Sequence, residues 1–374
     1  MKDILIVSTS PSDFEILKPL FVQLSKKSNT DLLCLFEPNK IEVEFAKNHR
    51  LNLVINNLNL THKEDQSNDI LKDLKKINNF ISTFLLESPY KFFVILGDRY
   101  ELLTIAQQVY LSKKILVHLH GGEITEDSWD DSIRHSISKL SHVHFVSSTR
   151  SKKLLISMGE QSKNIFNYGS LGAQNAKKIN LLDKSSLFEE LKLNKNLKTC
   201  FLVFQPTTNS NFDVVKNMKI IEKFLFNNNF EQLLVSHVNS DPGSKEFISY
   251  LKDGGNNIKF EILSSLGIQK YLSMAKHVDL VIGNSSSFIF ELPLKNIKSI
   301  LITDRQKGRE ITDHVFRSKI TLKDLQNTYD NLKITKTKTG SPYYKNNTDK
   351  YITNKIVSML DSPPKFKKVF NYEK

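Results

Sequence analysis

Short apolar runs alternate with longer amphipathic stretches along this chain of 374 residues. Asp3 to Ser8 reads as a first strand. From about Ser12 to Lys27 the apolar positions Phe14, Leu17, Leu20, Phe21 and Leu24 recur at helical spacing. Asp31 to Phe36 predicts a second strand, and Asp69 to Leu86 a long helix. Phe92 to Leu96 and Ile115 to Leu119 are apolar throughout and bounded by polar turns, the signature of strands buried on both faces. A helix over Tyr100 to Leu111 separates them, and a further helix starting near Asp130 leads into a strand at Val143 to Val146. Strands that alternate with helices pair in parallel through right-handed crossovers.

A polar stretch rich in Lys and Asn then intervenes, after which the pattern restarts. Strands are expected at Cys200 to Phe204, Gln232 to His237, Phe260 to Leu263, Leu280 to Ile282 and Ser299 to Ile302, with a helix over about Asn211 to Phe226. The expected fold class is α/β, with two doubly wound Rossmann-like domains and an interdomain cleft. The first domain covers residues 1–175, a linker 176–198, and the second domain 199–348. A tail, residues 349–374, carries an amphipathic helix over about Asp349 to Leu360 that packs back across the domain boundary.

Composition narrows the class. A hydrophobic content of 39% supports two packed cores at this length. No apolar run reaches the roughly 18 residues that would span a bilayer, so no membrane partner is expected. The start, Met1 to Ser10, enters a strand at once and lacks the layout of a signal peptide, which points to the cytoplasm. Cys34 and Cys200 lie far apart inside apolar strands and read as reduced packing residues. The net charge of +13 raises nucleic-acid binding. However, the lysines are spread along amphipathic helices, as in Lys72, Lys75 and Lys76, and no stripe with interleaved aromatics forms. No nucleic-acid partner is expected.

Candidate chemistry gathers at strand ends. In an open α/β sheet, ligands bind beyond the carboxyl ends of the strands. There the chain has Gly97-Asp98-Arg99 and His120-Gly121-Gly122-Glu123, with Asp130, Asp131, Arg134 and His135 following closely. Several carboxylates around one site suggest proton transfer. Each also has a structural alternative: Asp98 as a helix cap, Glu123 paired with a Lys, Asp130 as an N-cap. In the second half, Gly283-Asn284-Ser285-Ser286-Ser287 at a helix start suits phosphate, with Glu291 one or two turns on and able to reach ribose hydroxyls. A plain Ser N-cap is the alternative. Arg305, Lys307 and Arg309 add cations after the next strand, or form an ordinary surface loop. His118 with His120, and His142 with His144, make two H-x-H pairs; strand-end packing is the expected role, and no metal is expected.

Six segments, GDRYE, HLHGGEITE, DDSIRHSISKLSHVHF, MGE, GNSSS and DRQKGR, occur in the order and spacing of the hydrolysing UDP-N-acetylglucosamine 2-epimerases. The chain resembles most the branch that feeds sialic and legionaminic acid synthesis. This resemblance implies a fold like the GT-B glycosyltransferases, with the nucleotide held mainly by the second domain. It implies elimination of UDP to a glycal, then addition of water, giving UDP and the free 2-epimerised sugar of a UDP-HexNAc, UDP-GlcNAc or UDP-N,N'-diacetylbacillosamine. Carried over by motif, Asp98, Glu123 and Asp131 form the acid–base set, with Asp130 open as the alternative to Asp131. Arg99, His120, Gly121, Gly122, Arg134, His135, Gln205, Asn239, Gly283, Asn284, Ser285, Ser286, Ser287, Glu291, Arg305, Lys307 and Arg309 are the implied substrate and UDP contacts. Arg134 and His135 either orient the carboxylates, touch phosphate or form an ion-pair layer. The implied partners are a UDP-sugar and a second copy of the chain, with no cofactor.

Three positions depart from the family pattern. Pro11 stands where the first turn normally has an Arg, Gln205 where a His normally precedes Pro, and Phe288 where a Gly follows GNSSS. Pro supplies neither charge nor backbone N–H, and Gln exchanges no proton near neutral pH. These changes keep two alternatives open: a nucleotide-sugar-binding protein without turnover, and a GT-B-like glycosyltransferase.

Overall fold

In the computed structural model, residues 3–56, 58, 60, 67–126, 129–205, 213–236, 244–253, 258–264, 266–338 and 340–371 are described. The chain divides into two compact units, one built from the residues up to Asn175 together with Pro342–Lys374, the other from Ala176–Ser341.

The first unit contains β1 (Ile4–Ser8), α1 (Pro11–Ser25), β2 (Thr30–Cys34), α2 (Lys40–His49), β3 (Asn52–Ile55), α3 (Ser67–Glu87), β4 (Phe92–Leu96), α4 (Tyr100–Leu111), β5 (Ile115–Leu119), α5 (Trp129–Leu140), β6 (Val143–Val146), α6 (Thr149–Ser157) and β7 (Ile165–Asn167). Its sheet is parallel throughout, in the order β3-β2-β1-β4-β5-β6-β7. Both faces are covered, and the alternation along β1 shows it. Ile4 and Ile6 pack with Phe14, Leu17 and Phe21 of α1, whereas Leu5 and Val7 pack with Ile77 and Ile81 of α3 and Ile105 of α4. Burying a side chain of this kind stabilises by about 1.5–3 kcal/mol. Pro11 opens α1 behind the N-cap Ser10, whose hydroxyl accepts from the Asp13 backbone N–H. Pro fits there because a first-turn N–H has no helical partner to lose.

α7 (Leu171–Lys178) runs from the first unit into the second. The second unit continues with α8 (Lys184–Glu190), β8 (Thr199–Val203), α9 (Val214–Asn227), β9 (Gln232–Val235), α10 (Ser244–Asp253), β10 (Lys259–Ile262), α11 (Gly267–His277), β11 (Leu280–Gly283), α12 (Ser287–Phe290), β12 (Ser299–Ile302), β13 (Val315–Ser318) and α13 (Leu322–Ile334). Its parallel sheet has the order β10-β9-β8-β11-β12-β13. The chain then returns to the first unit, where Ile352, Ile356 and Met359 of α14 (Thr348–Asp361) join the core beside α1.

Strand boundaries differ from the sequence expectation by one or two residues, the usual uncertainty of element ends. Three larger differences have physical causes. α2 and β3 were not expected, because β3 (Asn-Leu-Val-Ile) is a short edge strand of four residues, exposed or half-buried along its length. β13 is likewise a short outer strand. Part of 176–198, expected as a linker, is the helix α8 with Leu187 and Phe188 buried. Cys34 and Cys200 are buried free thiols, and burial pushes Cys34 up to about 12.

Candidate active site

Two strand ends in the first unit, with the helix α5, carry the acidic positions. β4 is followed by Gly97, whose φ of +83° turns the chain and delivers Asp98 in front of α4. β5 is followed by His120 at φ +64° and Gly122 at φ +75°, then Glu123. The turn lies so close to its neighbours that side chains would not fit. A Cβ on Gly121 would stand 2.8 Å from His118 Nδ1 and from Ser138 Oγ, and one on Gly122 2.4 Å from the Ser151 carbonyl oxygen. Glycine is the residue that accepts both the turn and the approach.

Arg134 is the centre of the arrangement. It projects from α5, is 1% exposed, and bonds the Asp98 carboxylate, Asp131 Oδ1 at 3.0 Å and the Glu123 carbonyl at 2.9 Å. Burial works against its charge, but Asp98, Glu123 and Asp131 outweigh it and hold its pKa above the ordinary value. Asp131 Oδ1 also accepts from the Thr125 backbone N–H at 2.7 Å, and its Oδ2 lies 3.3 Å from His135 Nε2. Burial lowers the His135 pKa, opposed by Asp131. Helical spacing of three and four residues therefore gives Asp131, of the adjacent pair, the bonds to Arg134 and His135. Asp130 is half-buried in the first turn of α5. Glu123 is 7% exposed and accepts from Ser147 Oγ at 2.8 Å. Asp98 and Arg99 do not cap α4: Asp98 is taken by Arg134, and Arg99 pairs with the buried Glu101 at 3.1 Å.

The histidine pairs have structural partners. His118 Nε2 lies 2.8 Å from the Gly97 carbonyl and Nδ1 3.0 Å from Ser138 Oγ, so the ring joins the Asp98 turn to α5. Complete burial lowers its pKa to about 3, which keeps it neutral. His144, its register partner on β6, contacts Glu160 at 3.2 Å. Lys139 and Lys368 reach the same carboxylate at 3.2 and 2.9 Å. Burial pushes Glu160 up, but His144 and Lys368 hold it down at about 2. The MGE motif thus anchors the tail: Lys368 also donates to the Lys139 carbonyl at 2.8 Å, and Asn371 N–H to the Gly159 carbonyl at 2.8 Å. Among the described residues no group of three or more His, Cys, Asp or Glu side chains is arranged to hold a metal ion. Among them, too, no helix is long and apolar enough to cross a membrane.

In the second unit, Gly283 ends β11 where a Cβ would meet the Val203 carbonyl oxygen at 2.0 Å. Asn284 is fully buried and clamps the neighbouring strand end: Gln205 N–H donates to its Oδ1 at 2.9 Å, and its Nδ2 donates to the Gln205 carbonyl at 2.7 Å. Gln306 Nε2 donates to the Asn284 carbonyl at 3.1 Å, and Arg309 donates to Gln306 Oε1 at 2.8 Å. GNSSS and DRQKGR are thereby one assembly, with Arg305 and Arg309 half-buried and Lys307 exposed.

One expectation needs correction here. α12 spans four residues, so the macrodipole of a long helix is absent, and Glu291 is its C-cap and not a residue one or two turns inside. Ser286, at the N-cap position, makes no side-chain cap bond, whereas Ser285 Oγ accepts from the Ser287 backbone N–H at 3.3 Å. Ser285 and Ser287 bond each other at 3.0 Å, and Ser287 bonds Tyr271. Phe288 is fully buried in the unit's interior. Burial raises Glu291 to about 7, moderated by Arg309. Asn239 lies outside the described residues. Ser147, Glu160, Lys368 and Gln306 were missed. Ser147 had a signal as a polar residue directly after an apolar strand, and Glu160 and Gln306 lie within the MGE and DRQKGR segments.

The profile of the UDP-N-acetylglucosamine 2-epimerase family matches residues 39–357. A "GDP/UDP-N,N'-diacetylbacillosamine 2-epimerase (hydrolyzing)" of Campylobacter jejuni is 39% identical over 64% of this chain, a match covering 62% of that relative, less than two thirds of its length. The "Polysialic acid biosynthesis protein P7" of Escherichia coli is 33% identical over 83% of this chain and 80% of its own. The solved structure of a Neisseria meningitidis UDP-GlcNAc 2-epimerase bound to UDP-GlcNAc superposes with a TM-score of 0.76 at 15% identity, over 96% of this chain and all of the other. That likeness establishes the fold: two Rossmann-like units of the GT-B kind.

Proposed function

Since the chain belongs to the UDP-N-acetylglucosamine 2-epimerase family, we propose that it is a hydrolysing 2-epimerase of a UDP-HexNAc, UDP-N,N'-diacetylbacillosamine or UDP-GlcNAc. The observation that carries the proposal is one buried guanidinium, Arg134, that bonds Asp98, Asp131 and the Glu123 backbone while lying in the field of all three carboxylates. Inversion at C2 needs such a set. One carboxylate takes the C2 proton while the C1–O bond breaks and its electron pair leaves with UDP, giving a 2-acetamidoglucal. Water then adds across the double bond, its hydroxyl to C1 and a proton to C2 from the opposite face. The sum is UDP-sugar plus water to UDP plus the free 2-epimer. Groups held in place for each proton contribute about 10²–10⁴-fold, and their orientation by Arg134 is prepaid in folding.

In this reaction Asp98, Glu123 and Asp131 serve as the acid–base set. Ser285, Ser287, Glu291, Arg305 and Arg309 of the second unit serve the nucleotide, with Asn284 and Gln306 fixing their loops. The diacetamido substrate is favoured because the Campylobacter relative is named for it. In the proposed role the enzyme works in the cytoplasm as a homodimer and supplies a 2-epimerised amino sugar for nonulosonic acid and surface polysaccharide synthesis. The test is incubation with UDP-N,N'-diacetylbacillosamine and with UDP-GlcNAc, following UDP release and product stereochemistry. UDP and the free 2-epimer are expected from at least one; no UDP from either overturns the proposal.

A further inference from the structure

The order of the first sheet, β3-β2-β1-β4-β5-β6-β7, reverses its winding between β1 and β4. At such a switch point the connections leave toward opposite faces and open a crevice at the strand ends. α1 packs on one face with Ile4 and Ile6, α4 on the other with Leu5 and Val7. Two turns border this crevice, Thr9 to Asp13 after β1 and Gly97 to Arg99 after β4. The register fixes their closeness, since Val7 pairs with Ile95 two residues before Gly97.

Asp13 is the one acid of the first turn, and none of the bonds around Arg134 uses it. Its carboxylate accepts from Thr9 Oγ1, and its backbone N–H is held by the Ser10 cap. It lies within electrostatic reach of both Arg99 and Asp98. We infer that Asp13 is a further proton-transferring acid of the reaction, facing Asp98 across the switch point and returning a proton to C2 when water adds to the glycal. The inference rests on the epimerase reading proposed above. The chemistry asks for two carboxyls in opposite states, one ionised to take the C2 proton and one protonated to give one back. Burial raises the Asp13 pKa, opposed by Thr9 and Arg99, and the nearby Asp98 raises it further. Asp98 instead spends its charge on Arg134. In the addition step, Asp13 loses its proton to C2 as the C1–C2 double bond is consumed. The incoming water loses one proton to a carboxylate of the Arg134 set and leaves its hydroxyl on C1, so the step balances without any co-reactant.

The decisive variant is Asp13→Asn, which keeps an oxygen for Thr9 and a neutral polar group at the helix start but carries no transferable proton. Elimination and hydration are read separately, by UDP release from the UDP-sugar and by hydration of 2-acetamidoglucal plus UDP. The expected result is hydration slowed about 100-fold, with glycal accumulating beside UDP and an unchanged melting temperature. Asp13→Glu, which restores a proton, recovers part of the hydration rate. If wild type is active and the Asn variant yields UDP and 2-epimer in the wild-type ratio and rate, or loses both steps in equal measure, the inference is overturned while the epimerase reading stands. A wild-type enzyme inactive in both assays removes the reading and the inference together.

Discussion

Replacing Arg134 separates what this residue does for stability from what it does for chemistry. The side chain is almost fully buried and makes three charge-assisted contacts, to Asp98, Asp131 and the Glu123 carbonyl. Breaking one partner of a fully buried ion pair costs about 3–5 kcal/mol. Here both carboxylate side chains remain 26% exposed, so water re-solvates them in part. The expected loss for Arg134→Met is accordingly about 2–4 kcal/mol. Arg134→Lys keeps the charge but not the fork, since an ammonium reaches one or two of the three acceptors and not all at their present angles. Its stability loss is expected at about 1–2 kcal/mol, because the buried charge retains part of its compensation.

The rate effect is expected to be larger than the stability effect. Without the fork, Asp98 and the Asp131 side are no longer fixed relative to each other, and a shift near 1 Å can cost about 100-fold. For Arg134→Lys we expect kcat for UDP release to fall about 100-fold, with UDP affinity unchanged because the proposed nucleotide contacts belong to the other unit. Denaturant unfolding supplies the stability term, a coupled UDP assay the rate, and calorimetry with UDP the affinity. A Lys variant with kcat within threefold of wild type and a lowered midpoint would show that the cluster is an ion-pair layer for the fold, and would refute the assignment.

Gly283→Ala forces a Cβ to within 2.0 Å of the Val203 carbonyl oxygen, a backbone atom that cannot swing aside. We expect a loss of about 3 kcal/mol or more, read as a lowered urea midpoint, and a wild-type midpoint would contradict the geometry. Lys368→Met removes one cation from the buried Glu160 and should free the tail to proteolysis with a loss of about 2 kcal/mol; unchanged cleavage rates argue against the anchor. Because Glu160 is held at about 2, below its ordinary 4.5, its stabilisation is present above the unfolded value and lost as pH falls through the folded one. His118 behaves through the unfolded state. It stays neutral down to about 3 while the unfolded chain takes a proton near 6.5, so stability falls by about 1.4 kcal/mol per pH unit on going below 6.5. His118→Gln should remove one proton's worth of that slope in unfolding titrations between pH 4 and 6; an identical slope rules it out.

The strands that place the acids were legible because they are buried on both faces: Phe92 to Leu96, Ile115 to Leu119 and Val143 to Val146 appear where the apolar runs put them. Edge strands were not, since Asn52–Ile55 is four residues long and lies exposed or half-buried. The motifs marked where side chains gather but not what each does there. Asn284, expected as a ligand contact, is fully buried with its side chain bonded to the Gln205 backbone, and Arg134, expected in any of three roles, bonds the acids. The ambiguity of Asp130 and Asp131 is a matter of helical phase. Asp131 stands three and four residues before Arg134 and His135 and bonds both, and it also accepts from a backbone N–H at Thr125 that no motif could announce.

The three departures from the family pattern fall into different physical classes. Phe288 is a packing residue whose bulk is buried inside the second unit. Pro11 costs the fold nothing at the first helical position, behind the Ser10 cap. Gln205 is held through its backbone by Asn284, so the position is preserved while its side chain gives up proton exchange. A site that keeps its carboxylate hub but has lost a histidine must move its protons between carboxyl groups. Such a site needs one of them to be protonated at working pH. Asp13 is the acid at the switch point whose pKa burial raises, the direction that favours such a role.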